Sequence, residues 1–85
     1  MQYYVYILQS ELTSKYYCGQ TGNIQFRLSR HNNKEVKSTS HGVPWKLIGY
    51  IICESRSNSM KLEKEIKKRG IARWMMENRQ KIIRQ

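Results

Sequence analysis

The segment Tyr3–Gln9 (YYVYILQ) limits most strongly what this chain can fold into. Its aromatic and β-branched residues favour a β-strand. Side chains alternate between the two faces of a strand, and both faces are apolar here. One face carries Tyr4, Tyr6 and Leu8, and the other carries Tyr3, Val5 and Ile7. A strand that is apolar on both faces belongs in the interior of a sheet, so we predict that this one is central rather than at an edge.

The remaining apolar and polar segments predict a small α+β domain. Residues 10–15 form a polar turn after the first strand, and residues 33–43 form a polar loop. Two further strands are predicted, at Tyr16–Gln20 and at Trp45–Glu54. The first helix is predicted at Asn23–Asn32 with Thr21 or Asn23 as its cap, and the second begins at a cap of Ser57 or Asn58 and ends near Arg69. The third helix is predicted from Ile71 to about Ile83, with core contacts at Ile71, Met75 and Ile82. This order predicts a three-stranded antiparallel sheet flanked by helices. The 85 residues are expected to form one domain, residues 1–85.

The chain is strongly basic, with sixteen Lys and Arg residues against six Glu and no Asp, and a formal charge of +10. A field of this sign attracts polyanions. DNA or RNA is the leading partner class, because neutralising phosphates releases counterions. A membrane is disfavoured, because no apolar run approaches the ~20 residues of a spanning helix. A wide-faced basic amphipathic helix is also lacking.

The cysteines and the N-terminal segment both favour the cytoplasm. Cys18 and Cys53 are far apart in the sequence, and neither belongs to a C-x-x-C pair, so we expect them to be buried and reduced. Residues 1–10 contain neither a basic region nor a small-residue cleavage site, so they do not read as a signal peptide.

Two tyrosine-containing tripeptides lie on the two strands of the predicted hairpin. They are Tyr4–Tyr6 (YVY) and Tyr17–Gly19 (YCG). The hairpin brings Tyr6 and Tyr17 close together if both side chains point to the same face of the sheet. Arg27 follows the second tripeptide by eight residues, and His31 follows Arg27 by four. Helical projection places both side chains toward one edge of the helix stripe that also carries its apolar residues, so we expect them to be partly buried.

This arrangement resembles the GIY-YIG nuclease motif, and it is closest to the short bacterial single-domain group of that superfamily. The resemblance runs from about Tyr3 to Arg69, and it includes Pro44–Leu47 (PWKL) and Glu63–Lys67 (EKEIK). Two positions depart from the family name. Tyr4 stands where the name has Gly, and Cys18 replaces the middle Ile of the second tripeptide.

The resemblance implies hydrolysis of DNA phosphodiester bonds with Mg²⁺ or Mn²⁺. It implies that Tyr6 and Tyr17 position or activate the attacking water, that Arg27 binds the scissile phosphate, and that Glu63 holds the metal ion. His31 would assist proton transfer or orient a tyrosine. The proton acceptor is left open among Tyr6, Tyr17 and His31. Gly19 completes the motif, and Asn78, fifteen residues after Glu63, is a further candidate that some members of the family suggest.

The residue types suit that chemistry. Negative charge grows on the phosphate in the transition state, and a guanidinium fork and a metal ion can both stabilise it. Mg²⁺ prefers oxygen ligands and keeps several waters, so one protein carboxylate can be enough. Tyrosine is a poor base at its usual pKa of about 10, so a neighbouring cation is needed to favour the phenolate.

Ten of the sixteen cations lie from Arg56 onward. Six of them are expected, together with Arg27, to contact the phosphate backbone of a nucleic acid: Lys61, Lys64, Lys67, Lys68, Arg69 and Arg73. Backbone contacts give affinity without reading bases, so we expect selection of DNA structure rather than sequence, with targeting by a partner protein as an option. Two alternatives are a catalytically silent nucleic-acid-binding module on the same fold and a basic RNA- or ribosome-associated protein. Each residue also has a purely structural interpretation, in which the tyrosines are ordinary sheet aromatics and the cations form a solvated face.

Overall fold

The computed structural model describes residues 2–85, over which four strands, three α-helices and two short 3₁₀ helices form. The strands are β1 (Tyr3–Ser10), β2 (Tyr16–Thr21), β3 (Trp45–Cys53) and β4 (Ile83–Arg84). The α-helices are α1 (Ile24–Asn32), α2 (Arg56–Arg69) and α3 (Ile71–Glu77), and the 3₁₀ helices are Lys37–Gly42 and Arg79–Lys81. The predicted α+β class, with helices against an antiparallel sheet, is confirmed.

The sheet has the order β2-β1-β3-β4, and every neighbouring pair is antiparallel. β1 is therefore an interior strand, as its two apolar faces predict. The prediction of three strands is wrong, because residues 83–84 add a fourth strand that pairs with Gly49 and Tyr50. Gly49 makes this possible, since a Cβ atom there would lie 2.5 Å from the Ile82 side chain. The C-terminal residues occupy that space instead.

Several predicted boundaries shift. The third helix ends at Glu77 rather than near Ile83, and part of the predicted loop at residues 33–43 is a 3₁₀ helix. α2 begins earlier than predicted, because the Ser55 hydroxyl accepts a hydrogen bond from the Asn58 amide and caps it. Of the two caps considered for α1, Asn23 is the one whose side chain accepts from the Phe26 amide.

The two faces of β1 support two separate cores. Val5 and Ile7 pack with α2 and α3, through residues such as Ile66 and Trp74. On the other face, a cluster formed by Tyr6, Leu8 and Trp45 packs against Ile24 and Leu28 of α1. Val5, Ile7 and Leu8 are fully buried, and each such aliphatic side chain stabilises the fold by about 1.5–3 kcal/mol. The sheet is therefore the middle layer, with α1 on one side and α2 and α3 on the other.

The cysteines lie on the α2–α3 side of the sheet. Cys18 and Cys53 are both buried, and neither forms a disulfide, as predicted. Over residues 2–85, the helices are too short or too polar to cross a membrane.

Candidate active site

The site begins where the Tyr6 side chain crosses the hairpin above Gly19. The two residues are directly opposite in the β1–β2 register. A Cβ atom at residue 19 would lie 2.5 Å from the Tyr6 hydroxyl oxygen and 2.6 Å from the ring carbon that bears it. Only a residue without a side chain leaves this path open. Gly19 therefore sets the position of the Tyr6 hydroxyl.

The Tyr6 hydroxyl contacts two side chains of α1. Its oxygen lies 2.9 Å from His31 Nε2, and Arg27 Nε donates a hydrogen bond to the same oxygen at 3.3 Å. The two α1 residues are one helical turn apart, so they meet the phenol from one side. His31 is completely buried, whereas Arg27 is partly exposed. The phenol thus joins a buried imidazole to a guanidinium that solvent can reach.

Thr39 provides the second contact of His31, from the 3₁₀ helix at Lys37–Gly42. Its hydroxyl oxygen lies 2.8 Å from His31 Nδ1 and 3.3 Å from the Val36 carbonyl, to which it donates. A threonine hydroxyl has one proton, so an oxygen that donates to Val36 accepts from His31 Nδ1–H. Nε2 is then unprotonated and accepts from the Tyr6 hydroxyl, so every donor in this buried chain has an acceptor.

Sequence reasoning missed Thr39. It lies in the segment predicted to be a loop, outside the helix that carries His31, so no periodicity could relate the two residues. Trp45 holds this segment in place, because its indole Nε1 donates to the Thr39 carbonyl at 2.8 Å. The Trp45 backbone in turn exchanges hydrogen bonds with the Asn32 side chain at the end of α1. The PWKL segment therefore contributes to the position of His31.

Tyr17 forms the outer part of the cluster. It is partly exposed, and its ring centroid lies 5.0 Å from that of His31 and 6.3 Å from that of Tyr6. Lys67 Nζ lies 5.6 Å from the centroid of the Tyr17 ring, within the range of a cation–π contact. The two tyrosines therefore meet on one face, with Tyr6 inside and Tyr17 toward solvent.

Glu63 approaches from α2, in the layer on the other side of the sheet. Its carboxylate accepts a hydrogen bond from Lys67 Nζ at 2.7 Å, and this is the same ammonium group that lies over Tyr17. Glu63 is therefore connected to the tyrosines around the β2 side of the sheet. The Lys67 ammonium thus links the Glu63 carboxylate to the Tyr17 ring.

The residues of this region fit Mg²⁺ held largely by water. Within the described part of the chain, no group of three or more His, Cys, Asp or Glu side chains is arranged to hold a metal. A single carboxylate such as Glu63 suits an ion that keeps most of its waters and binds substrate phosphate. The Lys67 ammonium is the cation that a metal ion would replace at this carboxylate.

Burial shifts the pKa values of the inner pair in opposite directions. It raises the pKa of Tyr6 to about 12; the Arg27 hydrogen bond opposes this rise, while the charges of Tyr17 and Glu63 add to it. Burial lowers the pKa of His31 to about 4, and the positive charges of Arg27 and Arg30 lower it further. At neutral pH, a neutral phenol therefore donates to a neutral imidazole beside a charged guanidinium.

The remaining predicted residues lie outside this cluster or at its rim. Lys61, Lys64 and Lys68 are exposed on α2. Arg69 and Arg73 both pair with Glu77, so part of their charge is neutralised within the protein. Asn78 follows α3, and its side chain donates to the Trp74 carbonyl at 2.9 Å. That bond caps α3 on the far side of the sheet from Tyr6.

Comparison with known proteins gives consistent matches. Residues 2–77 match the family described as the GIY-YIG catalytic domain. The UPF0213 protein YsiG of Lactococcus lactis subsp. lactis (strain IL1403) is 35% identical over 63 residues, which cover 73% of this chain and 60% of YsiG. The match thus spans less than two thirds of that relative's length. The solution NMR structure of the UPF0213 protein BH0048 from Bacillus halodurans is 31% identical, covers 79% of this chain and 71% of BH0048, and gives a TM-score of 0.48.

Proposed function

Because this chain belongs to the family of the GIY-YIG catalytic domain, we propose that it is a metal-dependent endonuclease that hydrolyses DNA phosphodiester bonds. One observation supports the proposal above all others: the Arg27 guanidinium and the His31 imidazole bind the same phenol oxygen, that of Tyr6. A group that can bind an anion is thereby coupled to one that can accept a proton. Hydrolysis of a phosphodiester needs both.

Arg27 would bind the scissile phosphate. Its Nε is used to hold Tyr6, and a guanidinium has four further N–H donors in a planar fork that matches phosphate oxygens. The hydrogen bond to Tyr6 raises the pKa of Arg27, so its charge is constant at every working pH. Because it is held by a buried partner, Arg27 would meet the developing negative charge without having to reorganise.

Tyr6 and His31 would carry the proton of the attacking water. If Tyr6 takes that proton, its own proton moves from the phenol oxygen to His31 Nε2, and the imidazole becomes an imidazolium. The raised pKa of Tyr6 and the lowered pKa of His31 both oppose this internal transfer in the resting protein. A phosphate bound at Arg27 adds negative charge that favours the imidazolium. Tyr17, which is closer to solvent, is the second phenol that could serve the water.

Glu63 would hold Mg²⁺ or Mn²⁺. Bound there, the ion would supply Lewis acidity, which eases deprotonation of water and departure of the leaving oxygen. The Glu63 carboxylate is the ligand, and the Lys67 ammonium that now pairs with its Oε2 would give way to the ion. Lys67, once displaced, stays beside Tyr17 as a cation for the phosphate.

The substrate would be selected by DNA structure rather than by sequence. The cations of α2 and its exit contact backbone phosphates, which are the same in every sequence. A partner protein could add targeting to this backbone affinity.

The test is cleavage of plasmid, single-stranded, flapped and branched DNA in Mg²⁺, in Mn²⁺ and in EDTA. Glu63→Gln removes the metal ligand with almost no change of shape. Glu65→Gln is the matched control on the same helix, since Glu65 instead accepts from the Trp74 indole. We expect metal-dependent cutting by the native protein and by Glu65→Gln, and none by Glu63→Gln. DNA binding without cutting would favour the silent module, and preferred binding of RNA would favour the RNA-associated protein.

A further inference from the structure

A groove runs along α2 beside the candidate active site, and we propose that it binds a single-stranded segment of DNA next to the scissile phosphate. This inference rests on the proposed endonuclease function. The α2 groove has a volume of about 600 Å³. Its principal lining residues are Gln20, Arg56, Met60, Lys61, Glu63 and Lys64.

The groove carries positive charge that the protein itself does not neutralise. Arg56, Lys61 and Lys64 are exposed along its length. The ion pairs described for residues 2–85 engage other cations, namely Arg30, Lys67, Arg69 and Arg73. The three groove cations therefore keep their charge for an external anion. A row of cations without internal partners complements a row of phosphates.

Met60 distinguishes this groove from a merely basic surface. It is 50% exposed and lies among charged neighbours on the outer face of α2. The methionine thioether is flexible and packs well against aromatic faces. In a duplex the faces of the bases are stacked inside, and only their edges reach the grooves. A base face can contact Met60 only where the strand is unpaired, so the pairing of Met60 with three cations fits single-stranded nucleic acid.

Glu63 connects the groove to the chemistry. It lines the groove, and it pairs with the Lys67 ammonium that lies over Tyr17. A strand that follows the groove cations is therefore led toward the site where Arg27 and the tyrosines meet. A volume of this size lies in the range of about 300–1,000 Å³ typical of ligand pockets, and it suits a few nucleotides rather than a duplex.

The first test measures binding in EDTA, so that it does not depend on cleavage. A fluorescent blunt duplex is compared with the same duplex extended by a single-stranded DNA tail of about ten nucleotides, within the site size of other single-strand binders. We expect the tailed duplex to bind about ten-fold more tightly to the native protein. Met60→Gln should reduce the ratio of the two affinities, tailed duplex over blunt duplex, several-fold. Met76→Gln should not, although it makes the same uncharged change at a methionine that is 68% exposed on α3.

A charge-matched pair of variants tests the cations. The first double variant combines Arg56→Gln and Lys61→Gln in the groove, and the second combines Lys15→Gln and Lys37→Gln, which removes the same charge outside it. The first should weaken binding of the tailed duplex more than the second. Equal loss in the two double variants would show general electrostatic attraction and overturn the groove. The groove would also be overturned if the native protein bound tailed and blunt duplexes equally, or if Met60→Gln left the ratio of the two affinities unchanged. Tighter binding of an RNA tail than of the DNA tail would overturn the assignment to DNA.

Cleavage in Mg²⁺ then separates this inference from the proposed function. Equal cleavage of blunt and tailed DNA, with no effect of Met60→Gln, would leave an endonuclease without a strand groove. Selective binding of the tailed duplex with no cleavage of any substrate would overturn the endonuclease and keep the groove as a binding site. Selective binding together with preferred cleavage near the tail is the expected result.

Discussion

The Tyr6 hydroxyl lies 2.9 Å from His31 Nε2, and both side chains are closed to solvent. Burial opposes a charge on either group, and the hydrogen bond between them couples their protonation. The same hydroxyl accepts from Arg27. A disturbance of this one oxygen is therefore expected to reach the anion-binding group and the proton acceptor together.

Gly19→Ala should displace that oxygen. The added methyl group would lie 2.5 Å from the Tyr6 hydroxyl, so the phenol must move away from His31 and Arg27. We expect DNA cleavage to fall by about 10²-fold, as for other misplacements of about 1 Å at a reacting centre. The free energy of unfolding should fall by about 1–3 kcal/mol. Initial cleavage rates and thermal unfolding measure the two effects.

Gly22→Ala is the control for that substitution. A Cβ at residue 22 would meet its nearest neighbouring atom at 3.8 Å, an ordinary contact. Its cleavage rate and stability should match those of the native protein. Equal effects of the two alanine substitutions would contradict the role assigned to Gly19.

Thr39→Val should shift the His31 imidazole from the tautomer protonated at Nδ1 to the one protonated at Nε2. Valine has nearly the shape of threonine but cannot accept the Nδ1–H bond, so a buried donor loses its partner at a cost of about 1–3 kcal/mol. The proton then favours Nε2, where it opposes the Tyr6 hydroxyl. We expect slower cleavage and a changed ¹⁵N chemical-shift pattern for the His31 ring. Thr39→Ser keeps the hydroxyl and should restore both, whereas equal behaviour of the two variants would rule out this hydrogen bond as the cause.

His31 should make the protein less stable in acid. Its pKa is lowered to about 4 in the folded state from 6.5, so the unfolded chain binds the extra proton between these values. This contribution to stability is fully present above pH 6.5 and is lost as the pH falls toward 4. The difference between the two pKa values corresponds to a loss of about 3 kcal/mol in the free energy of unfolding. Urea unfolding at a series of pH values measures it.

Two variants identify the group responsible for that acid sensitivity. His41 is exposed, so His41→Gln should keep the native dependence on pH. His31→Asn should lose the slope between pH 6.5 and 4, even though it is less stable at neutral pH. A native slope in His31→Asn would assign the effect to other groups.

Lys67→Gln should strengthen metal binding at Glu63. The ammonium pairs with one oxygen of this carboxylate and repels an approaching metal ion, so its removal ends the competition. Partly exposed ion pairs contribute about 0.2–1 kcal/mol, which corresponds to an increase in affinity of up to about five-fold. Electron paramagnetic resonance of Mn²⁺ measures this without substrate. Lys68→Gln removes one charge from the next residue of the helix, and an equal gain there would mean that only general charge is involved.

The fold could be predicted where local pattern and tertiary contacts agree. Tyr3–Gln9 is apolar on both faces, and β1 is indeed buried between two neighbouring strands and two layers of helix. The C-terminal segment could not be predicted in this way. Ile82 and Ile83 suit both the end of a helix and a strand, and the decision depends on the absence of a side chain at Gly49, more than thirty residues away.

The same distinction applies to the candidate site. The spacing of Arg27 and His31 on one helix places them together, because helical geometry alone relates them. Glu63 could be selected from its neighbour Glu65 only through the family resemblance. Thr39 had no signal at all, since its contact with His31 depends on how the 37–42 segment is held against Trp45.

The anchoring of that segment makes the imidazole part of a cooperative unit. Gly42 accepts from the Ser10 hydroxyl, and the Thr39 carbonyl accepts from Trp45, so residues 37–42 are tied to β1 and β3 at once. If these ties open, water reaches His31 and its partner hydroxyl is withdrawn in the same event. Amide exchange within the segment is thus a direct record of how long the buried imidazole stays dry.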